Sequence, residues 1–340
     1  MIEVRGLQMH FPLKRAGLGR VGTGKGAAVR AVDGVDLVVE RGESVGLVGE
    51  SGCGKSTLGR CITGLLKPTA GEVRLADKPA QAGSSRSAAA ARIAQIIFQD
   101  PYSSLNPRMT VQQAVTEVLR VHHRLPPKKV DQRFRELMDL VRLDQQLAGA
   151  FPRQLSGGQR QRVSIARALA VEPEVLIADE PVSALDVSVQ ATVVNLLADL
   201  RRDLSLTLML ITHNMAIVRH MCERTMVMYL GRIVESGPTE QIFADPRHPY
   251  TKALMQAVPR LAPGRVSSAP ALTGDPPSPI QLPAGCRFRA RCPIGQQVCE
   301  HEEPELLPDP ADHNHLAACH FAWAAGHEDA AVLQPPTRKG

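Results

Sequence analysis

The stretch Gly49–Thr57 reads GESGCGKST and decides the fold. It matches the pattern G-x-x-x-x-G-K-[ST], in which backbone N–H groups surround the phosphates of a nucleotide. An apolar run precedes it and a helical pattern follows it to about Leu66, so the loop joins a strand to a helix. Upstream, Val32–Val39 alternates apolar and acidic residues, which predicts an exposed antiparallel strand. Lys55 is predicted to reach the β- and γ-phosphates, and Ser56 to place its hydroxyl on Mg²⁺. The sequence therefore predicts a P-loop nucleotide-binding domain.

A similar pattern lies upstream, where Gly19–Gly26 reads GRVGTGKG. It offers Gly26 where a Ser or Thr must bind the metal, and neither an apolar strand nor a helical pattern flanks it. We interpret this stretch as a flexible basic loop without a nucleotide.

Composition limits the class of protein. The chain has 340 residues, 44% of them apolar, and a formal net charge of +6. This length accommodates one large α/β domain and a smaller region. The sequence shows neither an apolar run of roughly 18 residues nor an N-terminal signal, so a cytoplasmic location is expected. The basic charge suits an anionic partner such as lipid or nucleic acid, but ordinary surface charge explains it equally well.

Polar residues stand at the ends of the later apolar runs, where parallel sheets bind ligands. Gln99 follows one run, Asp179 and Glu180 end the next, and His213 follows a third. Asp179 is predicted to bind Mg²⁺, and Glu180 to polarise the attacking water as general base. Gln99 is placed to touch the metal or the water. The alternative interpretations are a solvent-facing acidic strand end and a structural histidine.

A second anion-binding element is Leu155–Gln159, which reads LSGGQ and opens a helical pattern. Ser156 is a good N-cap, and Gly157 and Gly158 leave bare backbone N–H groups at the helix start. The element has no lysine. One complete triphosphate loop and a second, lysine-free anion site predict two chains that face each other, each completing the other's nucleotide site.

These motifs, in this order, resemble those of the ATP-binding subunits of ABC transporters, in the dipeptide/oligopeptide importer family. In the terms of that family, Gly49–Thr57 is Walker A, Gln99 the Q-loop, Leu155–Gln159 the signature, Asp179-Glu180 the end of Walker B, Ser183–Asp186 the D-loop and His213 the switch. The importer family is indicated by QDPYSSLNP at Gln99–Pro107, HPYT at His248–Thr251, GCRF at Gly285–Phe288 and RCP at Arg291–Pro293.

The resemblance implies a RecA-like α/β core with an antiparallel edge sheet, interrupted by a helical subdomain at about 100–168. We expect an ABC ATPase domain at 1–258, a Pro-rich linker at 259–283 and a small Cys-rich C-terminal region at 284–322. The remaining residues, 323–340, are expected to form a disordered tail.

The resemblance also implies the site residues. Catalysis is assigned to Glu180, His213 and Gln99, and Mg²⁺ binding to Ser56, Gln99 and Asp179. The residues expected to contact ATP are Phe11, which would stack on the adenine, and those of the two glycine-rich elements: Gly49, Glu50, Ser51, Gly52, Cys53, Gly54, Lys55, Ser56, Thr57, Ser156, Gly157, Gly158 and Gln159.

The implied function is an ATPase subunit that powers import of dipeptides or oligopeptides from the cytoplasmic face of the bacterial inner membrane. Its expected partners are two membrane permease subunits, a paralogous ATP-binding subunit and, indirectly, a periplasmic or surface peptide-binding protein, but no nucleic acid. Nickel and glutathione importers share these motifs and stay open as alternatives. A nucleic-acid ABC ATPase would carry a coiled-coil or zinc-bearing insertion, whereas only about one hundred residues separate Lys55 from Ser156.

Four cysteines lie near the C-terminus: Cys286, Cys292, Cys299 and Cys319. In a reducing compartment such a group points to metal rather than to disulfides. Gaps of five, six and nineteen residues are wide for zinc, whereas four thiolates can bind a [4Fe–4S] cluster. The resemblance to importer ATPases with such a cluster favours iron–sulfur in a structural role. Zinc, supported by nearby histidines, and free thiols are the alternatives.

Overall fold

The structure is a computed structural model that describes residues 1–13, 27–82, 85–86, 88–100, 104–123, 125–256, 274 and 277–323. Several segments singled out in the sequence lie outside the described residues. They are the GRVGTGKG stretch, Pro101–Ser103 of the QDPYSSLNP motif, most of the Pro-rich segment 259–283 and almost all of the tail 323–340.

The strands occur in two groups along the chain, one on each side of a long helical stretch. They are β1 (Ile2–Pro12), β2 (Ala28–Val39), β3 (Ser44–Val48), β4 (Ala70–Leu75), β5 (Lys78–Pro79), β6 (Gln81–Ala82), β7 (Ser85–Arg86), β8 (Ala94–Ile97), β9 (Val175–Asp179), β10 (Thr207–Thr212), β11 (Arg224–Tyr229), β12 (Arg232–Pro238), β13 (Leu307–Pro308) and β14 (Leu316–Ala317).

In the described part of the chain, three helices follow one another between β8 and β9, and three more between β12 and β13. The helices are α1 (Lys55–Ile62), α2 (Ala88–Ile93), α3 (Val111–His123), α4 (Pro127–Leu140), α5 (Gly157–Leu169), α6 (Val187–Leu204), α7 (Met215–Met221), α8 (Thr239–Ala244), α9 (Pro249–Gln256) and α10 (Val298–His301). Among the described residues, no helix is long and apolar enough to cross a bilayer.

The chain forms two compact units. Unit 1 consists of residues 1–7, 36–46 and 56–212, and unit 2 of residues 8–35, 47–55 and 213–340. The chain passes from one unit to the other within β1, β2 and β3 and at the start of α1. The phosphate loop up to Lys55 therefore belongs to unit 2, and Ser56 to unit 1.

The core of unit 1 contains the parallel strands β8, β9 and β10. The register aligns Ile97 with Ala178, and Asp179 with Ile211, so the carboxyl ends of the three strands lie at the same edge. Every residue of β9 and β10 is buried, which is typical of parallel strands covered on both faces. This edge holds the polar residues that follow the strands.

The helical part of unit 1 is built from α3, α4 and α5, which contact one another. Helix α4 begins at Pro127 with Pro126 as its N-cap, because proline fits the first turn, where its missing N–H has no partner to lose. Its buried side chains include Phe134, Leu137 and Met138. The Pro126-Pro127 pair thus separates α3 from α4.

Unit 2 contains an antiparallel group of strands. β11 pairs with β12 through a hairpin at Leu230 and Gly231, whose φ angles of 41° and 83° suit a tight hairpin turn. β14 pairs with β12, with Glu235 opposite Ala317, and β13 pairs with β14. The C-terminal segment thus adds two short strands to the hairpin.

Two elements differ from the sequence prediction. The helix after the phosphate loop, expected to run to about Leu66, ends at Ile62, because Gly64 adopts φ 71° and closes it. The strand around Val32–Val39, expected to be exposed, is exposed only at Asp36 and Val38. Its other apolar residues are buried, and Asp33 is only 7% exposed. Its acidic character misled the prediction, since Asp33 is buried in an ion pair with Arg287.

Candidate functional site

The glycines of the phosphate loop let the backbone of unit 2 pack closely against it. A Cβ on Gly49 would lie 2.2 Å from the carbonyl oxygen of Met228, and one on Gly54 would lie 1.9 Å from that of Ala31. Neither backbone can yield to a side chain, so only glycine fits. At the tip of the loop, Ser51 and Gly52 are exposed.

Lys55 lies folded over its own loop. Its Nζ donates hydrogen bonds to the carbonyl oxygens of Gly49, at 2.7 Å, and Glu50, at 2.8 Å, and the residue is only 4% exposed. The Sγ of Cys53 lies 3.7 Å from the same ammonium group. Burial raises the pKa of the Cys53 thiol although Lys55 opposes the shift, so this cysteine is neutral near pH 7.

Glu50 is held on three sides within unit 2. Its carboxylate accepts two hydrogen bonds of 2.8 Å from the guanidinium of Arg291. Its backbone N–H donates to the Tyr250 hydroxyl at 2.7 Å, and its carbonyl is one of the two that bind Lys55. The first residue after Gly49 is therefore fixed by the C-terminal half of the chain.

In unit 1, the residue that follows Lys55 meets the end of β9. The hydroxyl of Ser56 donates a hydrogen bond of 2.7 Å to a carboxylate oxygen of Asp179, which is 1% exposed. Thr57, half-buried, continues the first turn of α1. A hydroxyl and a carboxylate side by side are hard oxygen ligands of the kind that Mg²⁺ prefers. These two predicted metal ligands are thus neighbours.

Glu180 follows Asp179 in a left-handed backbone conformation, with φ 46°. Such a conformation costs a side-chain-bearing residue roughly 1–2 kcal/mol. Its N–H donates to the carbonyl of Ile211 at 2.8 Å, and its carboxylate accepts a hydrogen bond of 3.1 Å from the side-chain amide of Gln99. The parallel register thus brings the predicted base and the predicted Q-loop residue together.

The signature element begins α5 with a reciprocal cap. The Ser156 hydroxyl accepts from the N–H of Gln159 at 3.2 Å, and the Gln159 side chain accepts from the N–H of Ser156 at 2.8 Å. The glycines pack against the segment after Glu180. A Cβ on Gly157 would lie 2.9 Å from a methyl of Leu185, and one on Gly158 would lie 2.5 Å from a methyl of Val189.

Two further predicted residues belong to unit 2. His213 stands between the end of β10 and Asn214, whose side chain caps α7 by accepting from the N–H of Ala216 at 3.0 Å. Phe11 lies near the end of β1 and is 37% exposed. An exposed aromatic ring at a strand end is available for stacking, which is what its predicted role needs.

The four C-terminal cysteines are free thiols, with Cys299 buried and the others half-buried. Burial raises the pKa of Cys292 to about 12 and that of Cys319 to about 11, and the other thiols of the group add smaller like-charge contributions. Within the described residues, however, no three His, Cys, Asp or Glu side chains are arranged to hold a metal ion. The predicted [4Fe–4S] cluster and its zinc alternative therefore find no support in this arrangement.

Sequence reasoning missed the residues that hold the loop from outside it. Tyr250 and Arg291 both lie in motifs that indicated the family, HPYT and RCP, but the sequence assigned them no contact. Arg287, which binds Asp33 at 2.6 Å, lies in a third such motif, GCRF. The available signal was that these three motifs identified the family although no chemical role could be assigned to them from the sequence.

Comparisons with known proteins agree with this geometry. The ABC transporter family matches residues 32–183, and the family of the oligopeptide/dipeptide transporter C-terminal region matches residues 234–299. A dimeric ATP-binding cassette, MJ0796, solved in a post-hydrolysis state with ADP and Pi, is similar in structure with TM-score 0.61 and 28% identity, over 70% of this chain and 99% of that one.

Two curated relatives extend over most of the chain. The dipeptide transport ATP-binding protein DppF of Haemophilus influenzae is 44% identical over 307 residues, 90% of this chain and 92% of the relative. The oligopeptide transport ATP-binding protein OppF of Salmonella typhimurium is 46% identical over 310 residues, again 90% and 92%.

The family match and the similar structures define an ABC-type ATPase with a P-loop fold and a mixed sheet. The chain belongs to the ATP-binding proteins of the oligopeptide/dipeptide ABC transporter family. The resemblance predicted from the motifs is confirmed, and with it an ATPase coupled to transport.

Proposed function

We propose that this chain powers the import of dipeptides or oligopeptides by binding and hydrolysing ATP beside a membrane permease. Support for the peptide class comes from the C-terminal region matched at residues 234–299 and from relatives named for dipeptide and oligopeptide transport. The partners in this proposal are two permease subunits, a paralogous ATP-binding subunit and an indirectly acting peptide-binding protein. The chain would lie peripherally on the cytoplasmic face of the membrane.

The ATP chemistry follows from the residues already described. Lys55 and backbone N–H groups of the phosphate loop would bind the phosphates, and Ser56, Asp179 and Gln99 would hold Mg²⁺, which would neutralise the developing charge. Glu180 accepts the proton of the attacking water. The observation that carries this proposal is the Glu180 carboxylate, which an amide donor and a fixed backbone orient at the edge of the parallel strands.

The remaining contacts to ATP are proposed from the family motifs. Phe11 would stack on the adenine and His213 would contact the γ-phosphate. Ser156, Gly157, Gly158 and Gln159 would bind the nucleotide of the facing subunit. Closure of two such subunits over ATP, and opening after hydrolysis, would gate the permease.

The domain division proposed from the sequence places the ATPase at 1–258, including a helical subdomain at about 100–168. A linker follows at 259–283, then a Cys-rich region at 284–322 and a tail at 323–340. For the Cys-rich region we also propose a structural [4Fe–4S] cluster, with zinc as the alternative. This proposal rests on the donor set alone, the four cysteines of the C-terminal segment.

Uptake into proteoliposomes tests the function. The chain, assembled with its permease and partner ATPase, should import a radiolabelled dipeptide or oligopeptide in an ATP-dependent way from a donor binding protein. The same assembly with Lys55→Ala in this chain should import poorly. Uptake of nickel or glutathione but of no peptide would replace the proposed substrate. ATPase activity stimulated by nucleic acid, without any uptake, would overturn the transport function itself.

A further inference from the structure

Arg291 lies in the Cys-rich segment, yet its side chain binds the phosphate loop. Its Nη1 and Nη2 each donate a hydrogen bond of 2.8 Å to a different carboxylate oxygen of Glu50. This two-pronged pairing of guanidinium and carboxylate fixes direction as well as distance. The residue after Gly49 is thus oriented by a residue 241 positions further along the chain.

The pair is built into the protein rather than formed on its surface. The Arg291 side chain is 4% exposed and that of Glu50 is 27% exposed. The guanidinium carbon lies 5.9 Å from the ring centre of Tyr229 and 6.0 Å from that of Phe288. Those two rings pack edge to face with centroids 5.3 Å apart. Removing one partner would leave a largely buried charge uncompensated, so the pairing is not easily exchanged for water.

Glu50 in turn fixes the groups that face the phosphates. Its N–H is bound by the Tyr250 hydroxyl and its carbonyl by Lys55, so side chain and backbone are both held. Lys55 also binds the carbonyl of Gly49. A shift of Glu50 would therefore move the ammonium group and the backbone of the loop together.

We propose that Arg291 is a positioning residue for the nucleotide, holding the phosphate loop through Glu50 in the conformation that receives ATP. The role rests on the proposed use of this loop as the ATP phosphate site. When the loop is already ordered before ATP binds, less of the binding free energy is lost in immobilising it. Loss of Arg291 should therefore weaken nucleotide affinity, even though Arg291 acts only through Glu50.

The competing explanation is that Arg291 merely anchors the C-terminal segment. Arg287, from the same segment and 7% exposed, separates the two explanations. Its hydrogen bonds within the described residues go to Asp33 at 2.6 Å, Glu303 at 2.7 Å and the Leu230 carbonyl at 2.5 Å. It anchors the segment without a bond to the phosphate loop among those contacts, and so provides a matched control.

Binding of a fluorescent ATP analogue to the full-length chain, measured beside thermal unfolding, tests the role. Arg291→Gln and Glu50→Gln should each raise Kd by about tenfold, which is about 1.4 kcal/mol. The double variant should be no worse than either single one, because both remove the same interaction. Arg291→Lys should recover part of the affinity. Arg287→Gln should lower the unfolding temperature but keep Kd within about twofold of wild type.

Two results would overturn the role: wild-type affinity in Arg291→Gln, or an equal rise of Kd in Arg287→Gln and Arg291→Gln. If Arg291→Gln does not fold, Arg291→Lys and Glu50→Gln decide by the same criterion. A wild-type chain that does not bind the analogue would contradict the ATP site itself, and with it the role of Arg291. That outcome is visible in the wild-type measurement alone.

Discussion

The side-chain amide of Gln99 donates a hydrogen bond of 3.1 Å to a carboxylate oxygen of Glu180. The two residues follow neighbouring parallel strands, β8 and β9, whose register aligns Ile97 with Ala178. The carboxylate that we propose as general base is therefore oriented by the residue that we propose as a ligand of the metal. In the proposed mechanism, this contact would link binding of the metal to activation of water.

Replacing Glu180 by Gln should preserve ATP binding and lower turnover at this site at least about 100-fold, because an amide cannot accept the proton of water. The measurement is single-site turnover in the complete assembly, together with nucleotide binding. Glu174→Gln is the control, since that carboxylate is exposed and paired with Arg41. Wild-type turnover at this site in Glu180→Gln would show that another group is the base.

Replacing Ser156 by Asp should leave ATP binding to the isolated chain unchanged but prevent ATP-driven pairing with the partner ATPase. Asp and Asn cap a helix as well as Ser does, so the α5 cap is preserved while Asp adds a negative charge. Ser156→Asn, neutral and equally good as a cap, is the control and should pair. Light scattering with and without ATP measures the pairing.

Ser156 is a better target than Gly158, since a Cβ at Gly158 would lie 2.5 Å from Val189 of the same chain. Any effect of a Gly158 variant would mix local distortion with loss of the facing contact. Weakened ATP binding in isolated Ser156→Asp would contradict a role for the element in the opposite nucleotide site.

Anaerobic purification should yield a brown protein with absorbance in the blue and about four irons per chain, if the proposed cluster is present. Cys292→Ser should remove the colour and the iron. Cys222→Ser is the control, because that buried cysteine lies outside the C-terminal group. A colourless protein with stoichiometric zinc would establish the alternative metal, and a colourless protein without metal would leave four ordinary thiols.

Low pH should lower the stability of the folded protein, partly through Asp33. Burial raises the pKa of this carboxyl, but hydrogen bonds from Arg287 and His10 outweigh burial, so the pKa lies below its ordinary value. Such a group adds stability above its unfolded pKa of about 3.9 and loses that contribution as pH falls through the lower folded pKa.

The unfolding temperature of wild type should therefore fall more steeply between about pH 5 and pH 3 than that of Asp33→Asn. Asp203→Asn, at an exposed carboxyl paired with Arg202, should keep the wild-type slope. Equal slopes for wild type and Asp33→Asn would contradict the assignment.

The sequence predicted the parts of the fold and site that depend on short stretches. The phosphate loop, the α5 start at Ser156 and the strand that ends at Asp179 each have a local pattern of apolar residues, caps and glycines. The sequence also placed Gln99 and Glu180 at the ends of apolar runs, and the parallel register of β8 and β9 brings the two side chains together. The structure adds the distances between them.

Contacts between distant parts of the chain could not be predicted in this way. Nothing in the pattern around Glu50 indicates a partner at Arg291. Likewise, the strand around Asp33 was predicted to face solvent because the local sequence does not reveal its partner Arg287, which lies 254 residues away. The predicted end of α1 is wrong for a local reason: the apolar residues beyond Ile62 continue the helical spacing, although the helix ends there. Backbone closure at Gly64 overrode that spacing.

The bond between Glu50 and Arg291 has a consequence for descent. Two residues that lie 241 positions apart and bind each other directly are expected to be inherited together. Suppose that one of two duplicated genes has changed either Glu50 or Arg291. If the two genes then exchanged their C-terminal segments, the exchange would leave a residue of the pair without its partner. Lineages in which position 50 loses its acid should therefore also lose the arginine at position 291. Changes in the phosphate loop would then be accompanied by changes in the C-terminal segment.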